Sequence, residues 1–476
     1  MRYQNYDLYN RTEPPQGVSV ANTYTSIGAF RYVYRPYSYF HCTICATNEI
    51  CLIFLRYVNI VGLIFNRLNL IKIMTREEIL QDLLAHDERS LCLEFATGTG
   101  KSKLAIEYLL SKGCKHIIIF VFLSIQKNNW MEEIKRWHFE ERATFEFSCY
   151  KSVSKYAGKS FDGMICDECH HINSNVIGPL SRIGSKYHLF LSATMKQSLK
   201  NMFTRLWNAT IITIDLIEAI ENEILPHPTI YLIPCYLNKV NLNEEYIINP
   251  KCTNDYKGTV YMKDYWLCRK DKTHRYHIKC TQEQKNNAMQ GEINSLKEYI
   301  ENLKANECEV PMGLRNSYKK KCLELLKWLS KAREEYTLEI LHRLRYVRTI
   351  TFCNSIEQTE ILGKNAIHSK KGKKKVDELL SAFNSKKIKH ITSVQMLNEG
   401  MNLSECKYGV FAFYNSGKGI QVQKVGRILR HKEPVLVLPY LKGTREEDIV
   451  SDMIEGYEPE MIKTIQITEL DALVNN

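Results

Sequence analysis

From Met74 onward the apolar positions change their period again and again. Ile79, Leu80, Leu83 and Leu84 share one helical face, opened by Thr75 with Glu78 in the spacing of a capping box. Leu91, Cys92 and Leu93 then form a continuous run, and Leu104, Ala105, Tyr108 and Leu109 return to helical spacing. Ile117 to Leu123 is apolar throughout, as expected of a parallel strand covered on both faces. Trp130, Ile134 and Trp137 mark another helix, and Phe145 to Tyr150 a further strand. Strand alternating with helix predicts a doubly wound α/β sheet, which binds ligands at the carboxyl ends of its strands.

The pattern breaks on either side of this region. Residues 1–73 are rich in tyrosine and poor in acids, and their apolar stretch from Ile50 to Ile73 is interrupted by Arg56, Asn59, Asn66, Arg67 and Lys72. No uninterrupted run reaches the roughly 18–20 residues of a membrane span, so no stable membrane association is expected. Residues 1–73 read as an extension, disordered or upstream of a true start at Met74. After a first lobe at 74–228, an insertion is expected at 229–346. Its first half is polar, and Cys252, Cys268, His274, His277 and Cys280 match no common zinc spacing. Its second half places Ile293, Leu296, Ile300 and Leu303, then Leu323, Leu326, Leu329, Leu338 and Leu341, on two helices joined near Pro311-Met312-Gly313. A second lobe is expected at 347–476, with Lys370 to Lys375 as a solvated loop that can touch phosphates and a short acidic helix after Thr444.

The chain has 476 residues, too many for one core. Its net charge of +12 suits a polyanionic partner better than an acidic one. Sixteen cysteines scattered among apolar neighbours fit a reducing compartment, hence the cytoplasm, rather than a disulfide scaffold.

The run Phe95-Ala96-Thr97-Gly98-Thr99-Gly100-Lys101-Ser102 lies where an apolar strand meets a helix. Such a turn gathers backbone N–H groups at one point, where the helix dipole also favours negative charge, and that point holds phosphate. Thr97, Gly98, Thr99 and Gly100 form the expected cradle, Lys101 reaches the outer phosphates, and the Ser102 hydroxyl is placed for Mg²⁺. Phe95 replaces the first glycine of the strict phosphate-loop pattern. Further on, a short apolar strand carries Asp167 and Glu168 to the same sheet edge. Asp167 is expected to hold the metal, and Glu168 to orient and deprotonate the water that attacks the γ-phosphate of ATP. Cys166 and Cys169 bracket these acids and read as packing residues.

These segments resemble motifs of the superfamily 2 helicases and translocases, in the DEAD/DEAH-like group that includes phage or viral helicases and remodeller-type ATPases. Ala96 to Ser102, Asp167-Glu168-Cys169-His170 and Leu191-Ser192-Ala193-Thr194 look like motifs I, II and III. Asp215 to Ile220 with Ile224-Leu225-Pro226 resembles the bridge out of the first motor domain. Thr349 to Asn354, Glu399 to Leu403 and Gln423 to Arg430 resemble motifs IV, V and VI. The resemblance spans residues 74–439 and implies two RecA-like parallel-sheet lobes, with ATP in the cleft and an α-helical insertion between them. It further implies that Arg427 and Arg430, on one helix face, meet the γ-phosphate. Gln423 would sense the nucleotide, Glu399 and Gly400 would border it, and Ser192 and Thr194 would couple hydrolysis to lobe movement. Nucleic acid would run over Ser124, Gln126, Lys151, Ser152, Ser393 and Gln395. Val394 and Asn402 depart from motif V, and the adenine-reading glutamine upstream of motif I has no clear equivalent beyond Gln81.

The expectation is a nucleic-acid-dependent ATPase, a helicase or translocase using ATP and Mg²⁺, with DNA as the track rather than RNA. It would act as a monomer or in transient assembly with replication or repair proteins, and its compactness fits a phage, virus or mobile element. Two rivals stand beside it: a protein-displacing duplex translocase that never separates strands, and an ATP-switched clamp with little turnover.

Overall fold

The computed structural model describes residues 75–248, 269–270, 276–394, 405–415 and 418–475. The extension 1–73, motif V with Glu399 and Gly400, Gln395, Cys252, Cys268, His274 and the side chain of His277 lie outside the described residues.

Helix α1 (Arg76–Ala85) starts at the expected capping box: Thr75 Oγ1 accepts from the Glu78 N–H and Glu78 Oε2 accepts from the Thr75 N–H. Six strands follow, β1 (Ser90–Phe95), β2 (His116–Val121), β3 (Thr144–Cys149), β4 (Ser160–Cys166), β5 (Gly184–Ser192) and β6 (Thr210–Ile214). Between and after them run α2 (Lys101–Ser111), α3 (Gln126–Arg136), α4 (Ser174–Leu180), α5 (Gln197–Trp207) and α6 (Leu216–Glu221). The sheet is parallel throughout, in the order β3-β2-β4-β5-β1-β6. Ile117, Ile118 and Ile119 are fully buried, so both faces of β2 are covered, and each such side chain contributes roughly 1.5–3 kcal/mol. Because β1 and β4 are separated only by β5, the loops leaving their carboxyl ends meet at one edge.

Strand β7 (Thr229–Cys235) was expected to open the insertion, and it belongs instead to the second sheet. Beyond it the insertion comprises a small antiparallel sheet of β8 (Glu244–Ile248), β9 (Arg269–Lys270) and β10 (Tyr276–Cys280), then helices α7 (Gln282–Ala305) and α8 (Met312–Ala332). The helices pack through Ile293, Leu325, Leu326 and Leu329, with Glu292 of α7 taking both Tyr246 and Lys321. Cys280 is buried, its thiol pushed up to about 11 by burial.

The second lobe contains α9 (Glu334–Arg343), β11 (Thr349–Phe352), α10 (Ile356–Leu362), β12 (Ala366–Ile367), α11 (Lys373–Asn384), β13 (His390–Ser393), β14 (Tyr408–Phe411), α12 (Lys418–Ile428), β15 (Val435–Leu441), α13 (Arg445–Ile454), β16 (Ile462–Thr464) and α14 (Leu470–Asn475). Its sheet is parallel, in the order β12-β13-β11-β14-β15-β7-β16. The lysine run at 370–375 is a loop only in its first half, because α11 begins at Lys373. Among the described residues no helix is long and apolar enough to cross a membrane.

Candidate functional site

The turn after β1 is shaped by two glycines in the left-handed region, Gly98 at φ +98° and Gly100 at φ +89°. Glycine adopts this backbone without a Cβ penalty, and Gly100 caps α2 so that the helix N–H groups open onto the turn. Thr99 is buried with its Oγ1 donating to Ala96 O at 2.9 Å, which holds the turn. Lys101 Nζ donates to Phe95 O at 2.7 Å and to Ala96 O at 3.2 Å. Burial lowers the Lys101 pKa, with Glu168 and Asp167 opposing that and Arg427 and Arg430 adding to it. Side chains from both lobes thus act on one ammonium.

Asp167 follows β4 directly, and Trp130 Nε1 of α3 donates to its Oδ2 at 2.9 Å. Burial and the adjacent Glu168 push the Asp167 carboxyl up to about 6, so a cation beside it would restore its charge. Glu168 sits in the left-handed region at φ +46° and ψ +49°, a conformation that costs a non-glycine residue about 1 kcal/mol. His170 Nδ1 lies 3.4 Å from Glu168 Oε2 and 2.9 Å from Ser192 Oγ, and Ser192 Oγ donates to Thr194 O at 2.8 Å. One imidazole therefore joins the acid pair to the end of β5. Cys166 and Cys169 are buried free thiols, and Cys169 and Cys92 approach Met195 Sδ at 3.4 and 3.3 Å, as packing residues do.

From the second lobe, α12 lies against the phosphate-loop turn. A Cβ on Gly426 would stand 2.6 Å from Thr97 Cβ and 2.9 Å from Thr97 O, closer than real Cβ atoms approach. Gln423 and Arg427 on this helix are buried. Arg430 lies in the turn after the helix rather than on it, since α12 stops at Ile428, and burial lowers its pKa with Glu133 of α3 opposing. Lys424 is buried, donates to Phe413 O at 3.2 Å and lies near the rings of Phe352 and Phe411; burial pushes it down to about 8. Gly98 and Gly100, the Lys101 ammonium, two carboxylates and two guanidinium groups gather at one place, where three cations against two acids leave an excess of positive charge suited to a polyphosphate.

Residues 332–432 match the helicase conserved C-terminal domain. Saccharomyces cerevisiae Dbp5 bound to RNA and ADP BeF3 is similar in fold, with a TM-score of 0.52 at 10% identity over 86% of this chain and 94% of that one. A helicase C-terminal domain on one lobe and a two-lobed fold like that of Dbp5 are what this chain shares with known proteins. A point variant of Dbp5, also bound to RNA and ADP BeF3, gives a TM-score of 0.52 at 10% identity over 84% and 91% of the two chains. The Pyrococcus furiosus Hef helicase domain gives 0.43 at 13% identity over 79% and 97%. Comparison with curated proteins yields no match. The matched segment starts at the end of α8 and includes α9.

Two of the expected nucleic-acid contacts of the helicase fold are turned inward. Gln126 is 3% exposed and its Oε1 accepts from the Leu123 N–H at 2.7 Å, which closes the loop before α3. Ser393 is 1% exposed and donates to Val394 O. Lys151 is exposed and Ser152 half-buried on the short 3-10 helix Tyr150–Tyr156. Trp130, Glu133, His170, Gly426 and Lys424 were not expected to have site roles; of these, His170, Gly426 and Lys424 lie inside a motif that the spacing singles out. Replacing Gly426 with alanine forces the lobes apart at Thr97 and is expected to lower ATP turnover by on the order of 10²-fold, read as steady-state phosphate release. An unchanged rate would mean that this contact has no part in the cycle.

Proposed function

We propose that this helicase-fold chain hydrolyses ATP between its lobes and uses the cycle to move along or unwind nucleic acid, with DNA as the track. The observation that carries the proposal is the seating of Gly426, on the helix that bears Arg427, against Thr97 of the glycine turn that bears Lys101, because it brings groups of phosphoryl transfer from both lobes to one point. Gly98, Gly100 and the N–H groups at the start of α2 hold the phosphates, and Lys101 turns from the carbonyls of Phe95 and Ala96 toward them. Ser102 and Asp167 would hold Mg²⁺, which when bound neutralises charge on the outer phosphates. Glu168 takes the proton of the attacking water, while Arg427 and Arg430 meet the negative charge that builds on the γ-phosphate, with Gln423 beside them.

Coupling would run through His170. Its contacts with Glu168 and Ser192 make the hydrolytic acid sense the strand end that carries Thr194. His170→Ala is expected to retain most single-turnover hydrolysis and to lose strand displacement or translocation by about tenfold. Equal losses in both assays would assign His170 to chemistry instead.

The track would cross exposed cations such as Lys151 and the outer face of α8, where Arg315, Lys319, Lys327 and Lys331 are exposed and Glu324 is the only acid of the helix. The deciding experiment is phosphate release with single-stranded DNA, duplex DNA and RNA in parallel. Stimulation by DNA supports the proposal, and stimulation by RNA alone supports the reading favoured by the RNA-bound Dbp5. Binding without stimulation by any of them supports a clamp, and displacement of a bound protein without strand separation supports the duplex translocase.

A further inference from the structure

We infer that the nucleoside end of the triphosphate occupies a cavity of about 300 Å³ between the lobes and that Gln421 reads its base. The inference rests on the ATPase reading above and names what that reading leaves open.

The sheet order gives the direction. Around the phosphate-loop strand the strands run β4-β5-β1-β6, with the acid pair at the end of β4. A γ-phosphate within reach of Glu168 makes the triphosphate point from β1 toward β4. Its other end then leaves toward β6. At that side Ala96 N–H donates to Ile214 O at 2.9 Å, so Asp215 adjoins the turn. The cavity begins there: Asp215, Leu216 and Ile217 line it from the first lobe, and Gln421, Val422 and Val425 line it from α12, one residue before the Gly426 that meets Thr97.

Its chemistry suits a base better than a phosphate. The aliphatic side chains offer flat apolar walls, and Tyr457 adds a ring. Asp215, Asp452 and Glu455 also line it and outnumber its one cation, Arg445, which is paired with Asp448 at 2.9 Å, so the lining repels phosphate and can accept hydrogen bonds from sugar hydroxyls. Gln421 is 4% exposed, and its Nε2 donates to Asn415 O at 3.0 Å, which sets the amide orientation. Its Oε1 is buried and has no hydrogen-bond partner among the described residues. A buried acceptor of this kind calls for a donor, and the exocyclic amine of adenine is one. Gln421 belongs to the second lobe and Asp215 to the first, so both lobes contribute to the lining. The base is then read only while the lobes are together.

The test compares ATP, inosine triphosphate and inorganic tripolyphosphate by calorimetric titration of the full chain. Inosine triphosphate replaces the amine by a carbonyl oxygen, which would face Gln421 Oε1 as a second acceptor. The wild type is expected to prefer ATP by on the order of tenfold, and Gln421→Leu to erase that preference while binding tripolyphosphate as before. Val422→Trp, which fills the cavity from a half-buried helix position, should weaken ATP but not tripolyphosphate. Equal binding of the two nucleotides by the wild type, or discrimination that survives Gln421→Leu, overturns the inference and leaves the ATPase reading standing. Failure of the wild type to bind any of the three removes that reading and the inference with it.

Discussion

Glu168→Gln is expected to lower ATP turnover by about 10²- to 10⁴-fold while ATP still binds, the loss typical of removing a general base. The substitution keeps the shape of the side chain and tolerates the same left-handed backbone, so Asp167, Lys101 and the turn after β1 stay in place. Glutamine can still lie beside His170, yet it cannot take a proton from water. Binding and chemistry are thereby separated, which Lys101→Ala would not do because the ammonium serves both. Fluorescent-nucleotide binding with single-turnover hydrolysis gives the two readouts. If hydrolysis were unchanged, Glu168 would have no claim to the role, and the strained backbone at φ +46° would need another reason.

Local features were legible in the sequence and distant pairings were not. The capping box at Thr75, the buried run of β2, the glycine turn and the strand-end acids are each set by residues within a few positions of one another, and each lies where its spacing placed it. Strand β7 was misassigned because its apolar run carries no mark of its partners, β15 and β16, which both lie some two hundred residues downstream. The same blindness covers Gln126 and Ser393. A polar residue in a loop looks available until its loop closes on it, as the Leu123 N–H does on Gln126. Arg430 was drawn onto the motif VI helix by its spacing from Arg427, whereas the helix ends at Ile428. The contact of Gly426 with Thr97 joins two lobes, and no periodicity within either lobe could announce it.

The second large effect is expected at Arg333, between α8 and α9, where the insertion meets the second lobe. Arg333 is wholly buried and Glu446 nearly so; Nε and Nη2 donate to the two carboxylate oxygens at 2.9 and 3.0 Å. The remaining donors reach Phe411 O and Ala412 O at the end of β14 and Thr337 Oγ1 of α9, and Glu446 Oε2 also accepts from the Leu441 N–H. A buried pair of this kind adds little relative to an apolar pair of equal volume, because burial strips water from both charges. Removing one partner is different. Arg333→Ala leaves a carboxylate without its cation in the interior and is expected to destabilise the second lobe by about 3–5 kcal/mol, measured by denaturant unfolding. The double variant Arg333→Met with Glu446→Leu should recover most of that loss. A single variant no worse than the double would mean that shape and not charge fixes the joint. The loss should also reach the cleft, because the segment after β14 provides Phe413 O for Lys424 of α12, the helix that presses Gly426 onto the phosphate-loop turn.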